Sequence, residues 1–377
     1  MFSIVLNIVG SLFHLYVAAR LYSLSPVRRR VPARLWWGGA LLLWFVYLAG
    51  VQVGDAALDW RWWPGQFAVT WLGITFVMSL CLLAADLLGG FGFWWRRHTQ
   101  RIRAAGAVAG VLLAAFALFQ GMRAPVIVER EVVMQGLPQA LDGTVIAAVS
   151  DIHLGAQRRS EWMAARVAQI NALRPAAVLL VGDLVEDDPI GQPHLGEPQL
   201  AGVLRGLRAP LGVWAVTGNH EFYGDAETTV SEFAEGGVRW LRDRQVELAP
   251  GLVLAGIEDI GAAMRRGGSL TDGLARVLPA QADGAGKATI LMSHIPATAV
   301  VEEASARGVG LMLSGHTHGG QIWPFSYAVE RRFPKYAGAY EVGGMTLFVT
   351  RGAGSWGPRM RLWKAGEIIK LTLRAPR

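Results

Sequence analysis

Hydrophobic positions follow two regimes along the chain. Before residue 123 they form four nearly unbroken apolar stretches, at about 2–22, 35–53, 67–89 and 104–120. Each approaches or reaches the roughly 20 residues a helix needs to cross a bilayer core. From about residue 124 the runs shorten. Those at Thr144–Val149, Ala177–Val181, Val213–Val216, Leu252–Ile257, Thr289–Met292, Val309–Leu313 and Thr346–Val349, bounded by Gly, Asp or Asn, predict strands. Helical patterns lie between them, at Glu161–Leu173 behind a Ser160 cap and at Glu227–Glu235. The pattern therefore predicts a transmembrane region of about four helices over residues 1–123 and an α/β domain over residues 124–377. The Gly/Pro-rich stretch 188–198 reads as an exposed loop, and there is no evident internal repeat or low-complexity tract.

Composition agrees with a membrane portion. At 52% hydrophobic and 17% charged residues the chain is too apolar for an ordinary soluble protein. Nine of the fifteen Trp precede residue 100. Many of them (Trp36, Trp37, Trp60, Trp62, Trp63, Trp94, Trp95) stand at stretch ends, where amphipathic rings prefer the headgroup level.

Charge divides the same way. Residues 1–123 hold eleven Arg and three Asp, a net of +8, and residues 124–377 hold 25 Lys plus Arg against 26 Asp plus Glu, a net of −1. The overall +7 is thus a topology signal and not a nucleic-acid-binding surface. Arg28, Arg29, Arg30 and Arg34 fill the first inter-span loop, and Arg96, Arg97, Arg101 and Arg103 the third. The second carries Asp55, Asp59 and a single Arg61. Basic loops stay in the cytoplasm, which puts the N-terminus and everything after residue 121 outside it. The first stretch lacks a basic n-region and reads as a span, not a signal peptide. Cys81, the only cysteine, lies in the third stretch, so the remainder has no disulfide framework or thiolate metal site. Asp86 and His14, inside spans, read as interfacial residues without a functional role. Spans that lack paired internal charges offer no transport path.

The chemistry lies at the predicted strand ends. Asp151-Ile152-His153, Gly182-Asp183, Gly218-Asn219-His220-Glu221, Ser293-His294 and Gly315-His316-Thr317-His318 each follow a predicted strand, and they hold five of the eight histidines. In α/β sheets the carboxyl ends of strands converge on the ligand site, so these groups point into one cleft. Carboxylate, imidazole and one amide oxygen, without thiolate, suit Mn, Fe, Zn or Ni. A central carboxylate can bridge two such ions, which polarise a phosphoryl oxygen and generate a hydroxide nucleophile.

This ordered set of motifs, across roughly residues 140–352, resembles the calcineurin-like metallophosphoesterases. More narrowly, Asp-Ile-His-Leu-Gly, Gly-Asn-His-Glu-Phe-Tyr and Gly-His-Thr-His-Gly-Gly-Gln, joined to spans, resemble the membrane-associated bacterial branch of YkuE- and YaeI-type phosphodiesterases. The resemblance implies two facing sheets with helices outside. It implies Asp151, His153, Asp183 and His318 as ligands of a first divalent ion, and Asp183 as bridge with Asn219, His294 and His316 as ligands of a second. It implies His220 as the group that contacts the scissile phosphate and stabilises or protonates the leaving group. The protein phosphatases of the wider family follow the bridging Asp with Asp-Arg-Gly. Here Leu184-Val185-Glu186-Asp187-Asp188 follows, which disfavours a phosphoprotein substrate, and these acids read as surface loop.

The expected function is a membrane-anchored dinuclear phosphohydrolase, a phosphodiesterase or phosphomonoesterase. Its partners would be the lipid bilayer and a phosphate-bearing lipid, a lipid-linked sugar or a periplasmic nucleotide-type diester. The alternative is a non-catalytic membrane sensor or scaffold that binds ligand without turnover, but such a domain has no need of His220. Outside the motifs, His194, His98, Glu258 and Asp259 read as structural hydrogen-bonding residues. Arg359 and Arg361 are equally compatible with guiding a phosphate and with solvated surface.

Overall fold

All seven runs expected as strands form strands, and five further strands complete two six-stranded sheets. The computed structural model describes residues 2–53, 62–155, 157–186, 199–278 and 287–377. The 188–198 loop with His194, the acids Asp187 and Asp188, and Asp55, Asp59, Trp60 and Arg61 lie outside the described residues. The chain divides into two units, Met1–Met122 with Gly357–Trp363, and Arg123–Trp356 with Lys364–Arg377.

The first unit is helical: α1 (Phe2–Tyr22), α2 (Ser25–Arg30), α3 (Ala33–Val53), α4 (Trp62–Leu88) and α5 (Thr99–Met122). All but the short α2 are long and apolar enough to cross a membrane, as a multi-pass membrane protein requires. The helix α2 holds Arg28, Arg29 and Arg30 and carries Pro26 in its first turn, where a missing N–H costs nothing.

Within this unit the structure gives partners to polar residues whose surroundings the sequence did not show. Asp86, near the end of α4, is buried and paired: it accepts from Tyr16 Oη at 2.8 Å and Arg103 Nε at 2.7 Å, and Arg20 Nε lies 2.6 Å from its Oδ2. The spans therefore do hold paired charges, because α1, α4 and α5 each bring one partner to the same end. His14 is likewise interior, with Nε2 2.9 Å from Ala40 O and Nδ1 accepting from Trp71 Nε1 at 3.0 Å. Arg359 and Arg361 belong to this unit, not to the sheets, and Arg361 is fully buried. Its backbone N–H donates to Ala117 O at 2.8 Å, and Gln120 Nε2 donates to Trp363 O at 2.8 Å.

The second unit starts with β1 (Val126–Val133), β2 (Val145–Val149), β3 (Ala177–Val181), β4 (Val213–Val216) and β5 (Val238–Trp240). It continues with β6 (Arg244–Ala249), β7 (Leu252–Gly256), β8 (Ala288–Met292), β9 (Leu311–Ser314), β10 (Gly338–Val342), β11 (Met345–Val349) and β12 (Glu367–Arg374). One sheet runs β1-β12-β2-β3-β4-β5 and the other β10-β11-β9-β8-β7-β6. Their central strands β2, β3, β4 and β7, β8, β9 are parallel.

Side-chain alternation explains why these central strands read as continuous apolar runs. On β2, Ile146 and Ala148 enter the core between the sheets while Ala147 and Val149 face the outer helices; on β3, Leu179 and Leu180 divide the same way. Helices α6 (Ser160–Ala172), α7 (Leu200–Leu204) and α8 (Ala226–Glu235) cover the first sheet, and α9 (Ile260–Arg265), α10 (Asp272–Val277) and α11 (Thr298–Ala306) the second. The remaining helix, α12 (Ser326–Arg332), follows β9. The N-cap of α6 is Arg159 and not Ser160: Ser160 is the first helical residue and is buried.

Candidate metal centre

Five loops leave the C-terminal ends of β2, β3, β4, β8 and β9, and each carries one of the motifs. Backbone bonds tie the loops together: Asp151 N–H donates to Gly182 O at 3.0 Å and His153 N–H to Asp183 O at 3.1 Å. Asp151, His153, Asp183, His316 and His318 all have φ between 50° and 70°, the left-handed region that disfavours side chains with a Cβ. Each such residue costs about 1–3 kcal/mol, and strain of this kind gathers where function fixes the geometry. Glycine supplies the room. A Cβ at Gly315 would sit 2.3 Å from Asp151 Oδ2, and one at Gly218 would sit 2.2 Å from Asp183 Oδ1.

Three groups of side chains place their ligand atoms within 4.8 Å of one another: Asp151, His153 and His318; Asp183, His294 and His316; and His153, Glu186 and His220. His153 Nε2 faces His318 Nε2 at 3.1 Å, and His318 Nε2 lies 3.4 Å from Asp151 Oδ1. His294 donates Nδ1–H to Val181 O at 2.7 Å, which aims its Nε2 at Asp183 Oδ2, 2.9 Å away. His316 stacks edge-on against His294 at 5.3 Å, and its N–H donates to Asp151 Oδ1 at 2.9 Å. Asn219 is buried: Nδ2 reaches Tyr223 Oη at 3.1 Å, while Oδ1 has no hydrogen-bond partner among the described residues. His220 donates its N–H to Asp183 Oδ1 at 3.0 Å, and its ring meets those of His153, Tyr223 and Trp356 edge-on at 4.5, 5.1 and 6.4 Å.

The electrostatics ask for cations. Burial, reinforced by His220 and His318, pushes His153 well below the ordinary imidazole range, and burial beside His294 lowers His316 to about 4. Burial pushes Asp151 up to about 6. Burial opposes ionisation of Asp183 too, but His294 and His220 hold it well below the carboxylate range, and Asp183 in turn raises His294 to about 10 against its own burial. A protonated His294 thus serves as the counter-charge to Asp183, a part a divalent cation fills better. The fit to metal is good. Among the described residues Asn219 Oδ1 lacks a hydrogen-bond partner, and the imidazole nitrogens of His153 and His318 face each other at 3.1 Å, nearer than two neutral rings need to be unless something lies between them. Separations near 3 Å are those of neighbouring ligands on one ion with bonds of about 2.0–2.2 Å.

Two carboxylates were missed by sequence reasoning. Glu221, noted only as part of its motif, is buried and accepts backbone N–H bonds from Gly218 (2.6 Å), Leu184 (2.7 Å), Asp183 (3.1 Å) and Val185 (3.4 Å). It rivets the Asp183 loop to the Asn219-His220 loop. Burial and the Asp183 charge push it up to about 7, yet four backbone N–H donors face it, so the geometry favours the ionised form. Glu186, expected on the surface, is instead buried with its carboxylate 3.5 Å from His153 Nδ1 and 3.9 Å from His220 Nδ1. The spacing signal was available: Glu186 leaves β3 only three residues after Asp183. Among the other candidates, Asp259 caps α9 by accepting from Ala262 N–H at 2.7 Å, Glu258 pairs with Arg242 and Arg266, and His98 sits edge-on to Trp95 at 6.0 Å.

Paired imidazole–carboxylate clusters at parallel strand ends define a metallophosphoesterase site, and residues 144–320 match the calcineurin-like phosphoesterase family. The chain belongs to that family and is a metal-dependent phosphoesterase. It is 30% identical over 251 residues to the uncharacterized metallophosphoesterase YkuE of Bacillus subtilis, covering 63% of this chain and 82% of that protein. It is 29% identical over 331 residues to a transmembrane protein with metallophosphoesterase domain from Danio rerio, covering 83% of this chain and 74% of that one. With an uncharacterized metallophosphoesterase of Campylobacter jejuni it shares 31% identity over 242 residues, and there it spans only 61% of the relative's length.

Proposed function

We propose that this chain is a dinuclear phosphohydrolase of the membrane-associated YkuE-type branch, acting on a phosphodiester or phosphomonoester borne by a lipid or lipid-linked sugar. The observation that carries the reading is a pair of neighbouring ligand clusters, Asp151, His153, His318 and Asp183, His294, His316, with Asp183 Oδ2 2.9 Å from His294 Nε2 and 4.0 Å from His153 Nε2. Asp151, His153 and His318 would hold one ion with Asp183, and Asn219, His294 and His316 would hold the other with Asp183 as the bridge. Divalent ions at these residues would supply Lewis acidity and lower the pKa of water. The chain does the rest. Glu221 fixes the spacing of the two loops, Val181 O orients the His294 ring, and Glu186 faces the far nitrogens of His153 and His220. Anchored through its N–H on Asp183, His220 offers an imidazole to the oxygen that leaves phosphorus. The basic inter-span loops support an extracytoplasmic catalytic unit.

Metal analysis of the purified full chain tests this, run beside hydrolysis of bis(p-nitrophenyl) phosphate, p-nitrophenyl phosphate and vesicle-borne phosphatidic acid. Two equivalents of metal and turnover that chelator abolishes are expected. A metal-free chain, or one that loads both ions and hydrolyses none of these esters, would overturn the assignment.

A further inference from the structure

Among the described residues of the catalytic unit, every strongly exposed aromatic falls in one of two places. Tyr223 and Trp356 flank the His220 ring, and Trp323, Phe325 and Tyr327 lie just beyond His318. The last three are 42%, 56% and 64% exposed within five residues, and none of the seven residues of α12 is buried. Three large aromatics on an uncovered segment make the kind of patch that marks an interaction surface.

That segment is held at both ends by the site. It begins at Gln321, whose amide exchanges two bonds with the backbone of Trp356, Nε2 to O at 2.9 Å and N to Oε1 at 3.0 Å. It ends at Phe333, whose ring meets His316 edge-on at 5.2 Å and carries the Arg332 guanidinium over its face at 5.2 Å. Thr317 Oγ1 donates to Tyr336 O at 2.5 Å. The projecting rings are therefore fixed relative to the metal-binding histidines.

Chemistry selects the occupant. Exposed Trp, Tyr and Phe followed by exposed Arg331 and Arg332 match a bilayer interface, where amphipathic rings sit at headgroup depth and cations meet lipid phosphate. The same chain carries four helices long and apolar enough to cross a membrane.

We propose that Trp323, Phe325 and Tyr327, with Arg331 and Arg332, form an interfacial anchor that enters the headgroup layer of an anionic bilayer and presents membrane-borne phosphoesters to the metal site. The anchoring stands on its own; the presentation of substrate rests on the phosphoesterase reading. The test uses the full chain in phosphatidylglycerol-containing vesicles. Because Cys81 is the only cysteine, Cys81→Ser allows single spin labels at Phe325→Cys and Tyr327→Cys, with Glu302→Cys on α11 as reference. Collision with oxygen relative to an aqueous nickel complex should be roughly tenfold higher at both sites than at the reference, and should fall when phosphatidylcholine replaces the anionic lipid. Equal ratios at all three sites would overturn the proposal. So would exclusion of both agents, which would make the occupant a protein. In a parallel arm, replacing Trp323, Phe325 and Tyr327 together by Ser should reduce turnover of vesicle-borne phosphatidic acid roughly tenfold more than that of bis(p-nitrophenyl) phosphate. Equal losses would contradict presentation. A wild-type chain that hydrolyses neither ester would sink the functional reading while the labels still decide the anchor.

Discussion

Replacing Glu221 by Gln isolates what one buried charge does for this site. The substitution keeps shape and one accepting oxygen, which retains Leu184 and Val185 N–H. It turns the other oxygen into an NH2 group aimed at the N–H donors of Gly218 and Asp183, 2.6 and 3.1 Å away. Two buried N–H groups lose their acceptor, at about 1–3 kcal/mol each, so Glu221→Gln should destabilise the unit by about 2–6 kcal/mol. For a domain of this size that is a fall in Tm of roughly 5–20 °C. Because the two loops carry Asp183 and Asn219-His220, metal affinity should drop with it. Thermal unfolding of the full chain, with and without added divalent metal, reads both effects. A fall under about 2 °C with unchanged metal content would mean that Glu221 is protonated in the native state, as its shift to about 7 allows, and that the carboxylate is not the rivet described here.

Three other outcomes are expected. His220→Ala should keep both ions, since its ring is assigned to the phosphate, yet lose roughly 10²–10⁴-fold in rate; loss of metal in this variant would make His220 a ligand. Metal affinity should rise with pH across 7–9, because His294, raised to about 10, must surrender a proton to bind metal. Calorimetry in buffers of different ionisation enthalpy should show about one proton released and a Kd that tightens about tenfold per pH unit, whereas a pH-independent Kd would refute the Asp183–His294 pairing of the metal-free site. Alkaline phosphatase fused after residue 377 should be active, and a fluorescent protein that matures only in the cytoplasm should stay dark there; the reverse would put the site on the cytoplasmic face.

What the sequence makes legible, and what it hides, divides along physical lines. The candidate ligands at strand ends are local: β2, β3, β4, β8 and β9 are short, almost wholly buried and, Thr289 and Ser314 apart, apolar, so the charged and imidazole side chains after them stand out. The roles of Glu221, Glu186 and Asp86 are not local. Each carboxylate is defined by partners brought from elsewhere: backbone donors of the Asp183 loop for Glu221, imidazoles of two other loops for Glu186, and Arg20 with Arg103 from neighbouring helices for Asp86. Arg361 is hidden for the same reason, since nothing in its vicinity in the sequence announces that the segment Gly357–Trp363 packs with helices that end more than two hundred residues earlier. The edge strands β1, β5, β6 and β10 escaped too, and so did the internal β12. β12 reaches its place between β1 and β2 only because the C-terminal segment returns to the first sheet, pairing parallel to one and antiparallel to the other.

The central claim is that Asp183 joins two metal ions. Asp183→Asn keeps the side-chain volume and the N–H contact to His220 but turns one of the two carboxylate oxygens into a donor, and it removes the charge opposite His294. Metal stoichiometry by mass spectrometry of the purified variant, measured together with phosphoester turnover, tests the claim most directly. The account predicts that Asp183→Asn holds at most one ion and has lost nearly all activity while its Tm shows the fold intact; two ions and wild-type turnover in that variant would contradict it.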